Sequence, residues 1–284
     1  MGADLASKLA QISKAFYLFL ALSFSTSYFV QAQVPDRKIV YPHTLLWNKL
    51  EVAEIIENTK FGIGFDAIHR RSNELGTGTV FDRHLRTSVR PWVHYQFSPY
   101  ARLSVSPLGY FHSNEYAALE ADLERPTFHE LRSTIQFFHH HPMLGGRIMH
   151  TWRYRYEFRN QYQPGSESYR FFTRFRFRYR IRVMLNTPDF YTPGTIYAAV
   201  SNEIGLNIGR NVVMNTFNQN RVYAGIGYRF LNAMRVELRY LDRFRTRGAT
   251  GFEFDHGRGI MIALNIDQLT YIGRRYTRPI QYAD

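Results

Sequence analysis

The sequence predicts an all-β fold: a single antiparallel transmembrane β-barrel of about ten to twelve strands, preceded by a signal peptide. Three observations predict it. The N-terminus has the anatomy of an export signal. Period-two alternation recurs in segments longer than ordinary strands, and in the clearest of them one face is aromatic and the other arginine.

The export signal comes first in the chain. Lys8 and Lys14 precede an apolar run from Ala15 to Phe29, and Val30-Gln31-Ala32 ends in a small residue before Gln33. A charged n-region, a short h-region and a small residue at the cut make a secretory signal peptide, although Asp4 and the long n-region are untypical. The apolar run is short of the ~20 residues that a spanning helix needs. Residues 1–32 are therefore read as signal peptide, 33–44 as an N-terminal extension, 45–267 as the barrel and 268–284 as a C-terminal tail.

The alternation is clearest from Tyr169 to Leu185. Tyr169, Phe171, Thr173, Phe175, Phe177, Tyr179, Ile181, Val183 and Leu185 fall on one face; Arg170, Phe172, Arg174, Arg176, Arg178, Arg180 and Arg182 fall on the other. The segment before it repeats the design, with Trp152, Tyr154 and Tyr156 opposed to Arg153, Arg155 and Glu157. In a soluble sandwich the rings would turn inward, whereas in a membrane barrel they meet lipid and the arginines line the interior. Strand length and the signal peptide favour the membrane setting. An arginine facing lipid at the midplane costs ~2–4 kcal/mol, so several on one face must all point inward.

The remaining strands follow the same template. Leu45–Ile56 and Phe61–Arg71 form a first hairpin, and Leu85–Phe97 and Ala101–His112 turn at Ser98-Pro99-Tyr100. Thr127–His139 pairs with Arg147–Arg159 across His140–Gly146, and Ile196–Ile208 follows the turn Asn186–Gly194. Arg221–Phe230, Met234–Arg243 and Gly259–Asp267 close the set. That is about eleven strands, where single-chain bacterial barrels have an even number. Either a short strand around Arg37–Tyr41 completes twelve, or one segment is split too finely and the count is ten. Short turns are expected on the periplasmic side.

Composition narrows the partners. There is no cysteine, which excludes disulfides and thiol chemistry. The formal net charge of +13 would suit nucleic acid, but every basic residue beyond Lys60 is arginine or histidine. A nearly pure arginine set suits guanidinium groups packed with carboxylates and rings in a confined space, so no nucleic-acid partner is expected.

The segment Phe217–Tyr240, FNQNRVYAGIGYRFLNAMRVELRY, carries a resemblance. With Trp47 opening the first strand, Arg70-Arg71 ending the second and an inward Glu203, it resembles the outer-membrane barrels called domain of unknown function 2490. The resemblance covers about Leu45 to Asp267. It implies a barrel in the outer membrane of a Gram-negative bacterium, and it supplies no activity or catalytic residue. The tail LTYIGRRYTRPIQYAD departs from it in length and in lacking a terminal aromatic.

The inward positions collect an arginine lining of Arg153, Arg155, Arg174, Arg176, Arg178, Arg180, Arg221, Arg229, Arg235 and Arg239, partly balanced by Glu130, Glu157, Glu203 and Glu237. Like charges two apart on one face lie roughly 7 Å from each other, inside the ~8 Å screening length of physiological salt. They must be hydrated, paired across strands or neutralised by anions. The expected function is a non-enzymatic narrow channel that leans toward anions, or a structural membrane component, with outer-membrane lipids and small anions as partners. An open pore and a lumen filled by Arg–Glu–Tyr networks fit equally well. Two alternatives are a lipid hydrolase and a surface scaffold with an arginine-filled lumen. No cofactor, metal or catalytic residue is expected, and oligomeric state and solute are not legible.

Weaker features receive bland readings. His139-His140-His141 reads as a solvated turn before Pro142 rather than a metal site. Gly225 and Gly227, inward, leave room for arginine side chains. A hydrolase would need Ser133 beside His150, which a hairpin centred near Met143 leaves one diagonal step apart, with no acid to orient the imidazole. The acidic segment Ser113–Pro126, with Glu115, Glu120, Asp122 and Glu124, reads either as an inward plug against the arginines or as an ordinary solvated loop. A further loop, Thr246–Phe254, is the other candidate for surface interactions.

Overall fold

The computed structural model describes residues 38–165, 167–209, 212, 216–248 and 251–272. The signal-peptide segment, residues 33–37 of the extension and residues 273–284 of the tail lie outside the described residues.

Eleven strands are found among the described residues: β1 (Ile39–Ile55), β2 (Phe61–Ser72), β3 (Arg83–Ser98), β4 (Ala101–Ser113), β5 (Phe128–Met143), β6 (Ile148–Gln163), β7 (Ser168–Met184), β8 (Ile196–Ile208), β9 (Phe217–Leu231), β10 (Met234–Thr246) and β11 (Glu253–Ile266). Each pairs with the next as an antiparallel meander, and β1 lies beside β11 to close the barrel. Because ten antiparallel pairings separate them, β1 and β11 run the same way and the closing seam is parallel. The expected even count is thereby corrected. The proposed extra strand around Arg37–Tyr41 is, in its described part, the beginning of β1, because Tyr41, His43 and Leu45 continue the inward face of Trp47.

Apolar residues dominate the middle of the outer wall among the described residues. Outward positions include Ile63, Phe65, Val93, Val105, Ile135, Val200, Ile226, Leu238, Tyr240 and Ile260, all among the most exposed apolar side chains. Outward Glu54 and Arg71 sit near strand ends, and Asp242 and Arg258, farther in, bond to each other at 3.3 Å. Outward rings gather toward both ends: Phe61, Tyr95, Phe97 and Phe137 at one, Tyr110, His129, Tyr162 and Tyr169 at the other. An apolar belt bounded by aromatic girdles is the surface a bilayer solvates. A soluble barrel has the reverse pattern, and the long strands of 12 to 17 residues exceed what a soluble sheet needs.

One hairpin departs from expectation in register. β5 continues through the three histidines and Pro142 to Met143, and the turn is Leu144–Gly146, where Gly145 and Gly146 have φ of 64° and 94°. Those left-handed angles are open to glycine at little cost, which fixes the tight turn there. The histidines are therefore strand residues, not a turn. His140 faces inward while His139 and His141 face outward, so they cannot converge on one ion.

Candidate functional site

The inward faces of most strands are polar, and guanidinium groups dominate those of β6, β7 and β10. Among the expected arginines, Arg153, Arg155, Arg174, Arg176, Arg180, Arg221, Arg229, Arg235 and Arg239 are buried inside the barrel, and Arg178 is half-buried on the same face of β7. Glu130, Glu157, Glu203 and Glu237 are at most 1% exposed. With the outer wall apolar, the only room for these charges is the lumen, where they satisfy one another.

A continuous ladder of pairs runs around half the barrel. Glu130 on β5 accepts from Arg159 at 2.7 Å and Arg132 at 2.6 Å, and Arg132 reaches Glu157 on β6 at 3.3 Å. Glu157 also takes Arg174 at 2.5 Å and Arg176 at 3.0 Å, both from β7. Arg176 and Arg153 then converge on Glu203 of β8, which Arg221 of β9 approaches at 3.3 Å. A second hub is Glu237 on β10. It receives Arg180 at 2.8 Å, Arg239, and the Tyr197 hydroxyl at 2.6 Å. Each carboxylate serves two to four cations, so burying it is offset by several charge-assisted hydrogen bonds.

Gly225 and Gly227 do not make room for arginines. A side chain at Gly227 would meet the Tyr197 ring, whose hydroxyl is thereby delivered to Glu237, and one at Gly225 would meet the backbone of β10 at Leu238–Arg239.

Sequence reasoning missed about as many lumen charges as it found. Arg90 on β3 holds Asp66 on β2 through two bonds of 2.8 and 2.6 Å, and Arg70 lies 4.0 Å over the Trp47 ring. Asp255 on β11 binds Arg245 at 2.7 Å and His43 at 3.0 Å. The signal for Arg90 was present, since Val89, Pro91, Val93 and Tyr95 leave Arg90, Trp92 and His94 together on the other face. A lumen cluster of Leu45, Trp47, Tyr223, Leu241 and Met261 breaks the polar rule.

That cluster is completed by the loop joining β4 to β5. Tyr116, Ala117 and Asp122 of this loop turn inward and are buried, while residues 119–121 and 123–127 stay exposed. The loop emerges between strands that lie across the ring from β10; Arg83 of β3 ties it down through the Glu115 and Asp122 carbonyls, and it reaches over to β1, β10 and the residue that follows β10. Tyr116 stacks on His43 at 4.3 Å and its hydroxyl accepts from Arg243 at 2.9 Å. The Asp122 carboxylate accepts from Arg247 and from the amides of Leu119 at 2.8 Å and Ala118 at 3.0 Å. Burial alone would raise the Asp122 carboxyl, but these bonds outweigh it and hold it below its ordinary value. Beside Tyr116, Arg70 and Arg86 the remaining void is about 10 Å³, room for about one water.

The opposite mouth is different. It is the end with turns 56–60, 99–100, 144–147, 185–195 and 232–233. There a cavity of about 650 Å³ reaches into the barrel, and nine lysine and arginine side chains line it against four carboxylates. The 185–195 loop covers part of it, wedging Phe190 against Met149, Met184 and Tyr197. Asp267 closes the rim by binding Arg229 at 2.6 Å and Arg235; burial would raise its carboxyl, but the two arginines pull it down to about 2.

The Ser133–His150 arrangement is not formed. Ser133 pairs with Phe158 and His150 with His141, because the hairpin is centred two to three residues later than the sequence suggests. Ser133 donates to the Pro107 carbonyl at 2.6 Å, and His150 lies 2.5 Å from the Tyr179 hydroxyl.

Comparison with known proteins adds the following. The family model described as "Protein of unknown function (DUF2490)" matches residues 44–252. A solved structure described as the NanC porin in a rhombohedral crystal form is similar at 10% identity and a TM-score of 0.43, covering 79% of this chain and 97% of that one. No curated protein matches.

Proposed function

The chain belongs to the family described as Protein of unknown function (DUF2490), and from that premise we propose that it is a non-enzymatic barrel of the Gram-negative outer membrane. Its lumen is occluded at one end and selects for anions at the other. The observation that carries this reading is the asymmetry of the two mouths. One is filled by the 114–127 loop, latched through Asp122–Arg247 and Tyr116–Arg243. The other opens into a chamber whose cationic lining outnumbers its carboxylates. The chamber mouth, which carries most of the shortest turns, faces the periplasm by the usual rule for such barrels, and the latched loop faces outward.

An excess of fixed positive charge in a narrow, low-dielectric cavity raises the local concentration of anions and repels cations. Passage through the wall requires the 114–127 loop to withdraw, so the resting barrel is closed and its openings favour anions.

Planar-bilayer recording of the refolded protein tests this. The expected result is a quiet baseline with infrequent openings, whose reversal potential in a salt gradient reports anion preference, and sustained conductance after residues 115–125 are replaced by a short glycine-serine linker. A permanently open or cation-selective pore in the parent protein would overturn the proposal.

A further inference from the structure

Around the chamber the ion-pair ladder leaves three arginines over, and they stand together. Arg102 on β4 and Arg178 and Arg182 on β7 make no ion pair or hydrogen bond with any described residue. In each of them Nε is sealed from solvent with no acceptor. Arg182 is 8% exposed. All three border the 650 Å³ chamber, and all three are charged neighbours of His140, whose ring is fixed by a 3.0 Å contact between Nδ1 and the Thr151 hydroxyl.

The nearby carboxylates are already committed. Glu51 is held by Lys49, Asp267 by Arg229 and Arg235, and Glu203 by Arg153, Arg176 and Arg221. A buried guanidinium without an acceptor forgoes the hydrogen bonds it had in water, a cost that is recovered when an oxyanion supplies them. Around these forks the walls are aromatic. The Phe138 ring lies 5.1 Å from the Arg102 guanidinium and the Phe190 ring 4.7 Å from that of Arg182, with Trp92 and Tyr191 also lining the chamber.

We propose that Arg102, Arg178 and Arg182 form a binding site for a water-soluble organic anion, a phosphomonoester or carboxylate carried on a ring or other apolar body. Guanidinium forks match the geometry of phosphate and carboxylate oxygens and bind them through paired bonds. The chamber is of the size that holds an organic molecule rather than a bare ion. The barrel wall is closed around its whole circumference, so the ligand enters from the aqueous mouth and a lipid tail does not. The inference rests on the basic, one-ended lumen proposed above and adds the class of ligand and the residues that hold it.

Calorimetric titration of the refolded, detergent-solubilised full chain with phenyl phosphate, inorganic phosphate and phenol separates this from a general attraction for anions. Phenyl phosphate is expected to bind saturably, about tenfold or more tighter than inorganic phosphate, and phenol not to bind. Arg102→Gln, Arg178→Gln and Arg182→Gln should each weaken it about tenfold or more, the effect of losing one charge-assisted bond. Arg182→Lys should restore only part of that loss. Arg258→Gln, an outward site, should bind as the parent does. Heat-modifiable migration on gels and circular dichroism verify that each variant is folded. Absence of saturable heat with phenyl phosphate, equal affinity for inorganic phosphate, or folded glutamine variants that bind normally would overturn the proposal. Because the measurement is made in micelles, it can fail while the conductance reading stands, and the reverse.

Discussion

Replacing Asp122 by asparagine separates the latch from everything else in the lumen. The Asp122 carboxylate is buried, accepts from Arg247, and receives the amides of Ala118 and Leu119 at 3.0 and 2.8 Å. An asparagine oxygen can keep the amide contacts but not the charge-assisted bond, which is worth ~1.5–3 kcal/mol. Arg247 keeps Asp255 at 3.3 Å, so no bare cation is left behind. If the latch sets the balance between closed and open barrels, the odds of opening rise about 10- to 150-fold. Single-channel recording of Asp122→Asn in planar bilayers measures this as open probability at unchanged unitary conductance. The pH dependence has a definite sign. Because the Asp122 carboxyl is held below its ordinary value in the latched state, the latch is at full strength above the ordinary carboxylate range and weakens only as pH falls through the lowered value. Acidification to about pH 5 should leave opening unchanged. A folded Asp122→Asn barrel with the parent's open probability would refute the reasoning.

Other perturbations address the ladder, the wall and the rim. Glu203→Gln removes the carboxylate shared by Arg153, Arg176 and Arg221. It should lower unfolding stability in urea by about 3–5 kcal/mol, the cost of leaving buried charge unpaired. Leu238→Arg places a cation on the outer wall near mid-strand and should cost ~2–4 kcal/mol in lipid vesicles. Asp267→Asn should lose about 2 kcal/mol at neutral pH, from a carboxyl pulled to about 2 by Arg229 and Arg235. The parent should lose that same increment only as pH falls from the ordinary carboxylate value toward 2, so the difference between parent and variant vanishes in strong acid.

The orientation of the barrel could be read from β6 and β7 alone, because seven alternating positions of arginine opposite rings admit one arrangement in lipid. Both limits of β8 follow from the sequence, since Pro193 and Gly194 precede it and its inward Glu203 and outward Ile204 keep strict parity. The strand count was not readable, because parity depends on which strands meet at the seam, and the β1–β11 contact joins the two ends of the chain. The register of β5 with β6 failed for a local reason: Pro142 looked like a turn residue, while Gly145 and Gly146 made the turn. The site was half visible. Arginines in alternating runs stand out in the sequence, but isolated ones such as Arg102 and Arg132 need their neighbours' burial to be known. The unpaired state of Arg102, Arg178 and Arg182 is a property of the closed ring and of where each carboxylate is already engaged, which no single strand encodes. The 114–127 loop was recognised as acidic, and that character left its two possible positions equal until Tyr116 and Asp122 were seen against β1 and β10.

The three tryptophans of the chain provide the most direct measurement of the central claim. Trp152 faces outward on β6, whereas Trp47 and Trp92 face inward on β1 and β3. In single-tryptophan variants refolded into bilayers with brominated acyl chains, the account predicts strong quenching of Trp152 and none of Trp47, with Trp92 reached only by an aqueous anionic quencher through the chamber. Bromine quenching of Trp47 together with aqueous quenching of Trp152 would mean that the rings outside and the guanidinium groups inside had been assigned the wrong way round.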